Sequence, residues 1–170
     1  HQASRAARAG ETSALHEADG LANRVEFADV GPGRGIASYA LARDGFFVTA
    51  LEPNPSALVG AAAIRSMAAD GGVTINVCEE FSERLPFESN SFDVVFARAV
   101  LHHTSDLKST CAEFLRVLKP GGIMLAVREH VISDKADLPA FYDIHPLHHL
   151  YGGENAFLLA EYEAAISEAG

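Results

Sequence analysis

The sequence predicts an α/β fold with a doubly wound, mostly parallel sheet. Apolar runs of strand length alternate with segments of helical periodicity, the runs are almost continuously apolar, and turn residues separate them. Continuous runs are typical of strands covered on both faces, and alternating strands and helices form right-handed βαβ crossovers. We expect one domain over residues 1–170, with a helical cap (1–22), a core (23–131) and a final segment ending in a helix (132–170).

The elements of the first half follow from apolar spacing and turn residues. They are a short surface helix within residues 1–20, strands at 24–30 and 46–51, a helix from Ile36 to Asp44, and a third strand at 73–77. An alanine-rich helix precedes the third strand and ends at the glycines at 71–72. Asn54 and Pro55 predict its start, with asparagine as the cap and proline in the first turn.

The second half continues the alternation. It contains a fourth strand at 92–97, a helix capped within residues 104–106, a fifth strand at 123–131, and helices at 136–144 and 159–169. Residues 119–122 (KPGG) predict the turn that closes the helix before the fifth strand. The last helix places Leu159, Tyr162 and Ile166 on one face.

Charge and composition restrict the classes of binding partner that are expected. The formal net charge of −10 argues against nucleic acid and anionic lipid as partners. No apolar run approaches the ~20 residues that span a bilayer. The two cysteines, Cys78 and Cys111, form no CxxC pair, which favours reduced thiols and a cytoplasmic protein.

The glycine turn after the first strand indicates a ligand site. Gly31, Gly33 and Gly35 alternate between the strand and its helix, where glycine permits positive φ and close approach of a ligand to the backbone. The helix start also presents unpaired N–H groups. In parallel sheets, ligands bind at the carboxyl ends of the strands. A purely structural turn is the competing interpretation.

Two acidic residues restrict the class of ligand that fits this turn. Asp29 precedes the glycines and suits an ammonium group, whereas Glu52 ends the second strand and suits two ribose hydroxyls. A nucleoside carrying an amino acid satisfies both. Ile36 stands where a dinucleotide fingerprint requires its third glycine, which argues against nicotinamide redox chemistry.

The chain resembles the class I S-adenosylmethionine-dependent methyltransferases, in the small-molecule, methyltransferase type 11-like branch that includes quinone-biosynthesis enzymes. The resemblance covers about residues 24–130. Five segments carry it in order: 29–35 (DVGPGRG), 82–87 (SERLPF), 90–96 (NSFDVVF), 101–103 (LHH) and 116–122 (RVLKPGG). It implies a Rossmann-like methyltransferase fold, with S-adenosylmethionine bound in residues 23–131 and a small-molecule acceptor contacted by 132–170.

The resemblance also implies residue roles. Gly31 and Gly33, with Pro32 and Gly35 in the same turn, would pass under the methionine moiety with Asp29 near its ammonium. Glu52 would bind the ribose, with Pro53 beside the adenine, and Arg98 would lie near the methionine end. Phe81 occupies the position of an acid that contacts adenine in the family. Ser82, Glu83 or backbone groups would then supply that contact.

Histidines are candidates for the chemistry. Methyl transfer needs in-line alignment, and a base only where the nucleophile must lose a proton. His102 and His103 follow the fourth strand at the ligand edge, so either is a candidate base. Supporting roles, in capping or behind the site, are the alternative for both. Glu129 and His130 border the same edge and are weaker candidates.

No metal site is predicted. Residues 145–149 (HPLHH) suggest a metal cluster by spacing, but no cysteine or acid pattern completes a ligand set, so packing or substrate contact is favoured. The glycines in residues 151–153 predict a turn, as part of a lid.

The family fold ordinarily ends in an antiparallel hairpin that this sequence lacks. We therefore expect a truncated chain, or a homodimer that covers the edge of the fifth strand. Two functions are compatible with these sequence features. One is methyl transfer to a small molecule, and the other is a non-catalytic S-adenosylmethionine-binding module, truncated or dependent on a partner chain.

Overall fold

A computed structural model describes residues 25–82, 84–151 and 153–170 of the chain. The helical cap predicted for residues 1–22 and the cofactor-binding candidate Glu83 lie outside the described residues. Within them, no helix combines the length and apolarity needed to cross a membrane.

The centre of the fold is a five-stranded sheet in the order β3-β2-β1-β4-β5, and all neighbouring strands are parallel. The strands are β1 (Glu26–Val30), β2 (Phe47–Leu51), β3 (Asn76–Cys78), β4 (Phe92–Arg98) and β5 (Leu118–Val127). The chain moves outward from β1 to β3 and then crosses back to β4, so the order reverses between β1 and β4. Such a switch point opens a crevice at the carboxyl ends of the strands.

α-Helices connect strands of the sheet and follow its last strand. They are α1 (Ile36–Arg43), α2 (Ala61–Gly71), α3 (Leu107–Val117), α4 (Leu138–Ile144), α5 (Pro146–Tyr151) and α6 (Leu159–Ala169). Asp106 caps α3 as the sequence predicts, because its Oδ1 accepts from Ser109 N at 3.0 Å. Phe114 and Cys111 on α3 are fully buried in the core beneath the sheet.

A second, two-stranded parallel pair extends the end of β5. β6 (Val131–Ile132) pairs with β7 (Phe157–Leu158), and Tyr162 Oη donates to His130 O at 3.0 Å. This pair was not predicted, since both strands have only two residues. It brings the loop before β7 back to the carboxyl end of β5.

Several predicted boundaries are wrong. The fifth strand runs from Leu118 to Val127 and not over residues 123–131, because Val131 belongs to β6. α2 begins at Ala61, not at Asn54, because Asn54 Oδ1 closes a local turn with Ser56 N (2.9 Å) and Asn54 O accepts from Ala61 N. β3 starts three residues later than predicted. The KPGG segment lies inside β5, where a bulge shifts the pairing from Phe92–Leu118 to Val94–Ile123.

β5 forms one edge of the five-stranded sheet in the described part of the chain. Ile123, Leu125 and Val127 are exposed on one face, whereas Met124 and Ala126 pack against the core. An apolar edge strand is suited to pairing, which is the basis of the predicted homodimer.

Candidate functional site

The glycine turn between β1 and α1 has the backbone conformation that the sequence predicts. Gly31, Gly33 and Gly35 have φ of 62°, 57° and 77°. Their surroundings differ, because an added Cβ would meet Val100 Cγ2 at 2.7 Å at Gly31 and Ile64 Cγ1 at 2.8 Å at Gly35. At Gly33 nothing lies within 4 Å, so this glycine is the one open to a ligand.

Glu52 is held against the same turn. Its Oε2 accepts from Gly33 N at 2.9 Å and its Oε1 accepts from Asn54 N at 3.0 Å, while the residue is only 7% exposed. Each carboxylate oxygen has a second lone pair free for a further donor. Glu52 is therefore fixed by backbone amides, with capacity to accept hydroxyl groups.

A cavity of about 410 Å³ opens over Glu52 and Gly31. Its walls come from the carboxyl ends of β1, β2 and β4 and from the loop after β3. The lining residues are Val30, Gly31, Leu51, Glu52, Pro53, Glu80, Phe81, Ser82, Ala99, Val100, His103 and Thr104. Six of them, Gly31, Glu52, Pro53, Phe81, Ser82 and His103, come from segments that the sequence points to.

A second cavity of about 570 Å³ lies on the other side of the glycine turn, and Gly31 borders both. Asp29, Pro32, Gly33, Arg34 and Arg98 line it, together with Ile36, Ala37, Ala40 and Phe96. It thus combines a carboxylate with two guanidinium groups.

Asp29 is almost fully buried, and its Oδ2 accepts from Ser38 Oγ at 2.5 Å. Burial raises the pKa of Asp29 to about 6, with the Ser38 hydrogen bonds opposing this shift. The carboxylate is therefore poised to gain from a positive charge, since a nearby cation stabilises its ionised form.

The two candidate bases have different surroundings. His103 lines the first cavity with a side chain 44% exposed, and its Nδ1 lies 3.2 Å from Gly153 O. His102 is 1% exposed and lines neither cavity; its Nδ1 lies 2.7 Å from Glu129 Oε2. Neither histidine caps α3.

Glu129 ties the β4 loop to the end of β5. Besides the His102 ring, its carboxylate accepts from Val100 N and His102 N, each at 3.1 Å. Burial acts to raise the pKa of Glu129, but these hydrogen bonds outweigh it and leave the pKa below its usual value. Glu129 is thus an ionised carboxylate that positions the loop, rather than a free base.

His130 stacks on His102 with ring centroids 4.1 Å apart. Burial and the neighbouring His102 lower the pKa of His130. Glu154, 8% exposed, places its Oε2 beside both imidazoles. Glu154 is 24 residues from His130 and 52 from His102 in the chain, so no local sequence pattern connects it with the histidines.

The histidines at 145–149 do not gather at one point. His145 packs against His130 and Phe141, His148 stacks on Tyr142 at 4.4 Å, and His149 Nε2 lies 2.7 Å from Asp143 O. Packing, the interpretation favoured from the sequence, therefore describes His148 and His149.

Comparison with known proteins decides the family. The methyltransferase domain family matches residues 28–126, which include β1 to β5 except for a few terminal residues. The chain belongs to the methyltransferase domain family. The predicted resemblance to class I S-adenosylmethionine-dependent methyltransferases is confirmed.

Curated relatives of this methyltransferase domain are longer proteins. It is 36% identical over 98 residues to the ubiquinone biosynthesis O-methyltransferase of Methylobacterium nodulans, and the match covers 58% of this chain and 38% of that protein. The chain thus matches well under half the length of this relative.

Solved structures share the fold over most of the chain. The YcgJ protein of Bacillus subtilis matches with a TM-score of 0.76 and 24% identity, covering 86% of this chain and 61% of that one. A putative methyltransferase from Bacillus halodurans matches with a TM-score of 0.75 and 26% identity, covering 86% and 62%. The predicted α/β fold with a mostly parallel sheet is confirmed.

Several residues that line the first cavity were not predicted from the sequence. Glu80 lines the first cavity one position before Phe81, and Ala99 and Val100 form its wall beside Gly31. Ala99 has φ of 58°, a left-handed conformation that alanine rarely adopts and that gives no signal in the sequence. The acidic residue directly before Phe81 was the sequence feature that could have indicated Glu80 as a cavity residue.

Proposed function

We propose that this domain binds S-adenosylmethionine and transfers its methyl group to a small-molecule acceptor. The observation that carries the proposal is Glu52, held by Gly33 N on the floor of a cavity at the switch point of the sheet. The name of the Methylobacterium relative supports an oxygen atom as the nucleophile of the acceptor.

In this proposal the cofactor spans the two cavities across Gly31. Glu52 accepts the two ribose hydroxyls, and Pro53 lies beside the nucleoside. The methionine end enters the second cavity, where Asp29 faces its ammonium. Arg98 and Arg34 then form ion pairs with the methionine carboxylate. Their positive charges are therefore directed at that carboxylate and not at the positively charged sulfonium.

Adenine is assigned to the outer wall of the first cavity. Phe81 is 69% exposed there and offers an aromatic face for stacking. Glu80 and Ser82 flank it and supply oxygen acceptors for an amino group. Glu80 would replace the acid that the family places at the position of Phe81.

His103 is the proposed base where the acceptor must lose a proton. It borders the first cavity, and its exposed side chain can reach a ligand there. If its Nδ1–H donates to Gly153 O, its Nε2 carries the lone pair. His102 is proposed instead to support the loop from behind, through Glu129.

Titration with S-adenosylhomocysteine, the expected product, tests the proposal directly. Calorimetry of the folded chain should give one binding site, and methyl transfer to a panel of phenols, quinols and carboxylic acids should yield a methylated product. A folded protein that binds neither S-adenosylhomocysteine nor S-adenosylmethionine contradicts the proposal. Binding without any turnover would favour the non-catalytic module.

Asp29→Asn should stabilise the free protein and weaken cofactor binding. The folded carboxyl has a pKa near 6 because it is buried, whereas the unfolded one titrates near 3.8. As pH rises between these values, only the unfolded state loses its proton, so the free energy of unfolding falls; above about pH 6 the cost is constant at about 3 kcal/mol. Asparagine removes this cost and keeps an oxygen for Ser38.

Urea unfolding of both proteins should therefore show a gain for the variant that is larger near about pH 8 than near about pH 5. Calorimetry should show wild-type affinity for S-adenosylhomocysteine falling about tenfold per pH unit below about pH 6, as the carboxylate gains a proton. The variant should bind more weakly and lack this dependence. An equally steep dependence in Asp29→Asn would assign the titration to another group.

A homodimer through β5 stays a proposal. Its support is the exposed apolar face formed by Ile123, Leu125 and Val127 on an edge strand. Light scattering over a concentration series tests it, and a strict monomer contradicts it. A cytoplasmic location also stays a prediction.

A further inference from the structure

A cluster of two histidines and one carboxylate lies behind the proposed cofactor site, at the ends of β4 and β5. His102 and Glu154 are buried, and the His130 side chain is 30% exposed. One ligand atom from each of His102, His130 and Glu154 lies within 4.8 Å of the other two. Glu154 Oε2 is 3.5 Å from His102 Nε2 and 3.7 Å from His130 Nδ1. These separations are too long for good hydrogen bonds.

Two atoms of the cluster have no hydrogen-bond partner although they are buried. They are Glu154 Oε2 and His130 Nδ1, and they face one another. A buried polar atom without a partner costs about 1–3 kcal/mol, and more when it carries charge. His145 Nδ1 and His148 Nδ1 are also buried without a partner. The feature that points to a shared ligand is therefore the convergence of the two cluster atoms with His102 Nε2.

Glu129 orients His102 for this role. Because Glu129 Oε2 accepts from the Nδ1 side of the ring at 2.7 Å, Nε2 is left to face Glu154 with its lone pair. Histidines that bind metals are almost always held through their other nitrogen by a carboxylate or a carbonyl. The carboxylate is itself fixed by two backbone amides, so the ring has one orientation.

Charge also favours a cation. The side chains of Glu129 and Glu154 are only 9% and 8% exposed, and within the described residues neither carboxylate has a lysine or arginine partner. A divalent ion would balance both. Tetrahedral bonds of about 2.0–2.1 Å put ligand atoms about 3.3–3.4 Å apart, close to the 3.5 and 3.7 Å seen around Glu154 Oε2.

We propose that His102 Nε2, His130 Nδ1 and Glu154 Oε2 bind a divalent transition-metal ion, with Zn²⁺ the best match. Two imidazoles and one carboxylate suit zinc rather than Mg²⁺ or Ca²⁺, which prefer oxygen ligands throughout. Three protein ligands leave a fourth position for water or another oxygen. His103 Nε2 lies 3.9 Å from Glu154 Oε2, and His103 also lines the first cavity.

The test uses the whole chain without an affinity tag, first stripped with a chelator. After incubation with Zn²⁺ and desalting, elemental analysis should find one equivalent, and zinc titration by calorimetry should give one site. Co²⁺ in its place should give the strong visible bands of a tetrahedral ion. Zinc should also raise the thermal unfolding midpoint, because it binds only the folded state.

Glu154→Gln and His130→Ala should each lower zinc affinity by at least about a hundredfold, and Glu129→Gln by about 10–100-fold. His149→Ala is the matched control, since this exposed histidine contacts Asp143 O outside the cluster. It should keep one equivalent. Circular dichroism and urea unfolding of each variant without metal identify any that fail to fold. The zinc affinities of the folded variants are then compared with that of the wild type.

Failure to take up any Zn²⁺ or Co²⁺ would overturn the proposal. Uptake that Glu154→Gln and His130→Ala leave unchanged would also overturn it, by assigning the ion to surface groups. S-Adenosylhomocysteine titration of the same samples keeps this result separate from the proposed function, because zinc uptake does not require the cofactor.

Discussion

Glu52→Gln is expected to weaken binding of S-adenosylhomocysteine by about a hundredfold, or about 3 kcal/mol. In the proposed complex the Glu52 carboxylate accepts both ribose hydroxyls, and a hydrogen bond to a charged group contributes about 1.5–3 kcal/mol. Glutamine has nearly the same shape but offers one acceptor oxygen. Its amide NH₂ would point at one ribose hydroxyl and at one backbone N–H, because Glu52 also binds Gly33 N and Asn54 N. Isothermal titration calorimetry measures the loss.

The same change should lower the free energy of unfolding by about 1–3 kcal/mol, because one buried amide loses its acceptor. Glu79→Gln is the matched control. This acid pairs with Arg65 at the surface, with both side chains at least 40% exposed, and it lines neither cavity. Its affinity for S-adenosylhomocysteine should stay near that of the wild type. If the folded Glu52→Gln protein binds S-adenosylhomocysteine with wild-type affinity, Glu52 does not bind the ribose.

The parts of the site closest to the backbone of the sheet were the most readable in the sequence. Glycines after β1 and an acid after β2 lie at the ends of parallel strands that pair residue for residue, Val30 with Leu51. Once the two strands are recognised, their carboxyl ends must meet. Gly33 and Glu52, 19 residues apart in the chain, therefore join by a 2.9 Å hydrogen bond without any long-range information.

Other features depend on contacts that no local pattern encodes. Glu154 reaches His102 and His130 only because β6 pairs with β7, and each strand has two residues. A two-residue strand has no periodicity to read. For the same reason the sequence shows the close spacing of the histidines at 145–149 but not the approach of Glu154 to His102 and His130.

Two predictions were wrong because the same local sequence is compatible with two different local structures. Asn54 followed by proline is typical of a helix start, but the same side chain can close a turn with Ser56 N, and here it does. The KPGG segment is typical of a chain break between elements. In the structure this segment lies within β5 and forms a bulge. Phe92 pairs with Leu118 before the bulge, and Val94 pairs with Ile123 after it.

The open space above Gly33 leads to the second large effect. Gly33→Ala should weaken S-adenosylhomocysteine binding by at least about tenfold, or about 1.4 kcal/mol. Nothing in the protein lies within 4 Å of the added Cβ, so the methyl group would project into the space that the cofactor is proposed to fill. The left-handed φ of 57° adds a strain of about 1–2 kcal/mol to the folded state.

Gly72→Ala separates the two effects. Gly72, after α2, also has a left-handed conformation (φ 65°) and nothing within 4 Å of an added Cβ, but it lines neither cavity. Urea unfolding should show similar losses of stability for both variants, because the backbone strain is the same. Calorimetry should show weakened cofactor binding only for Gly33→Ala. If both alanines bind like the wild type, the cofactor does not approach the backbone at Gly33; if both weaken binding equally, the loss reports strain and not contact.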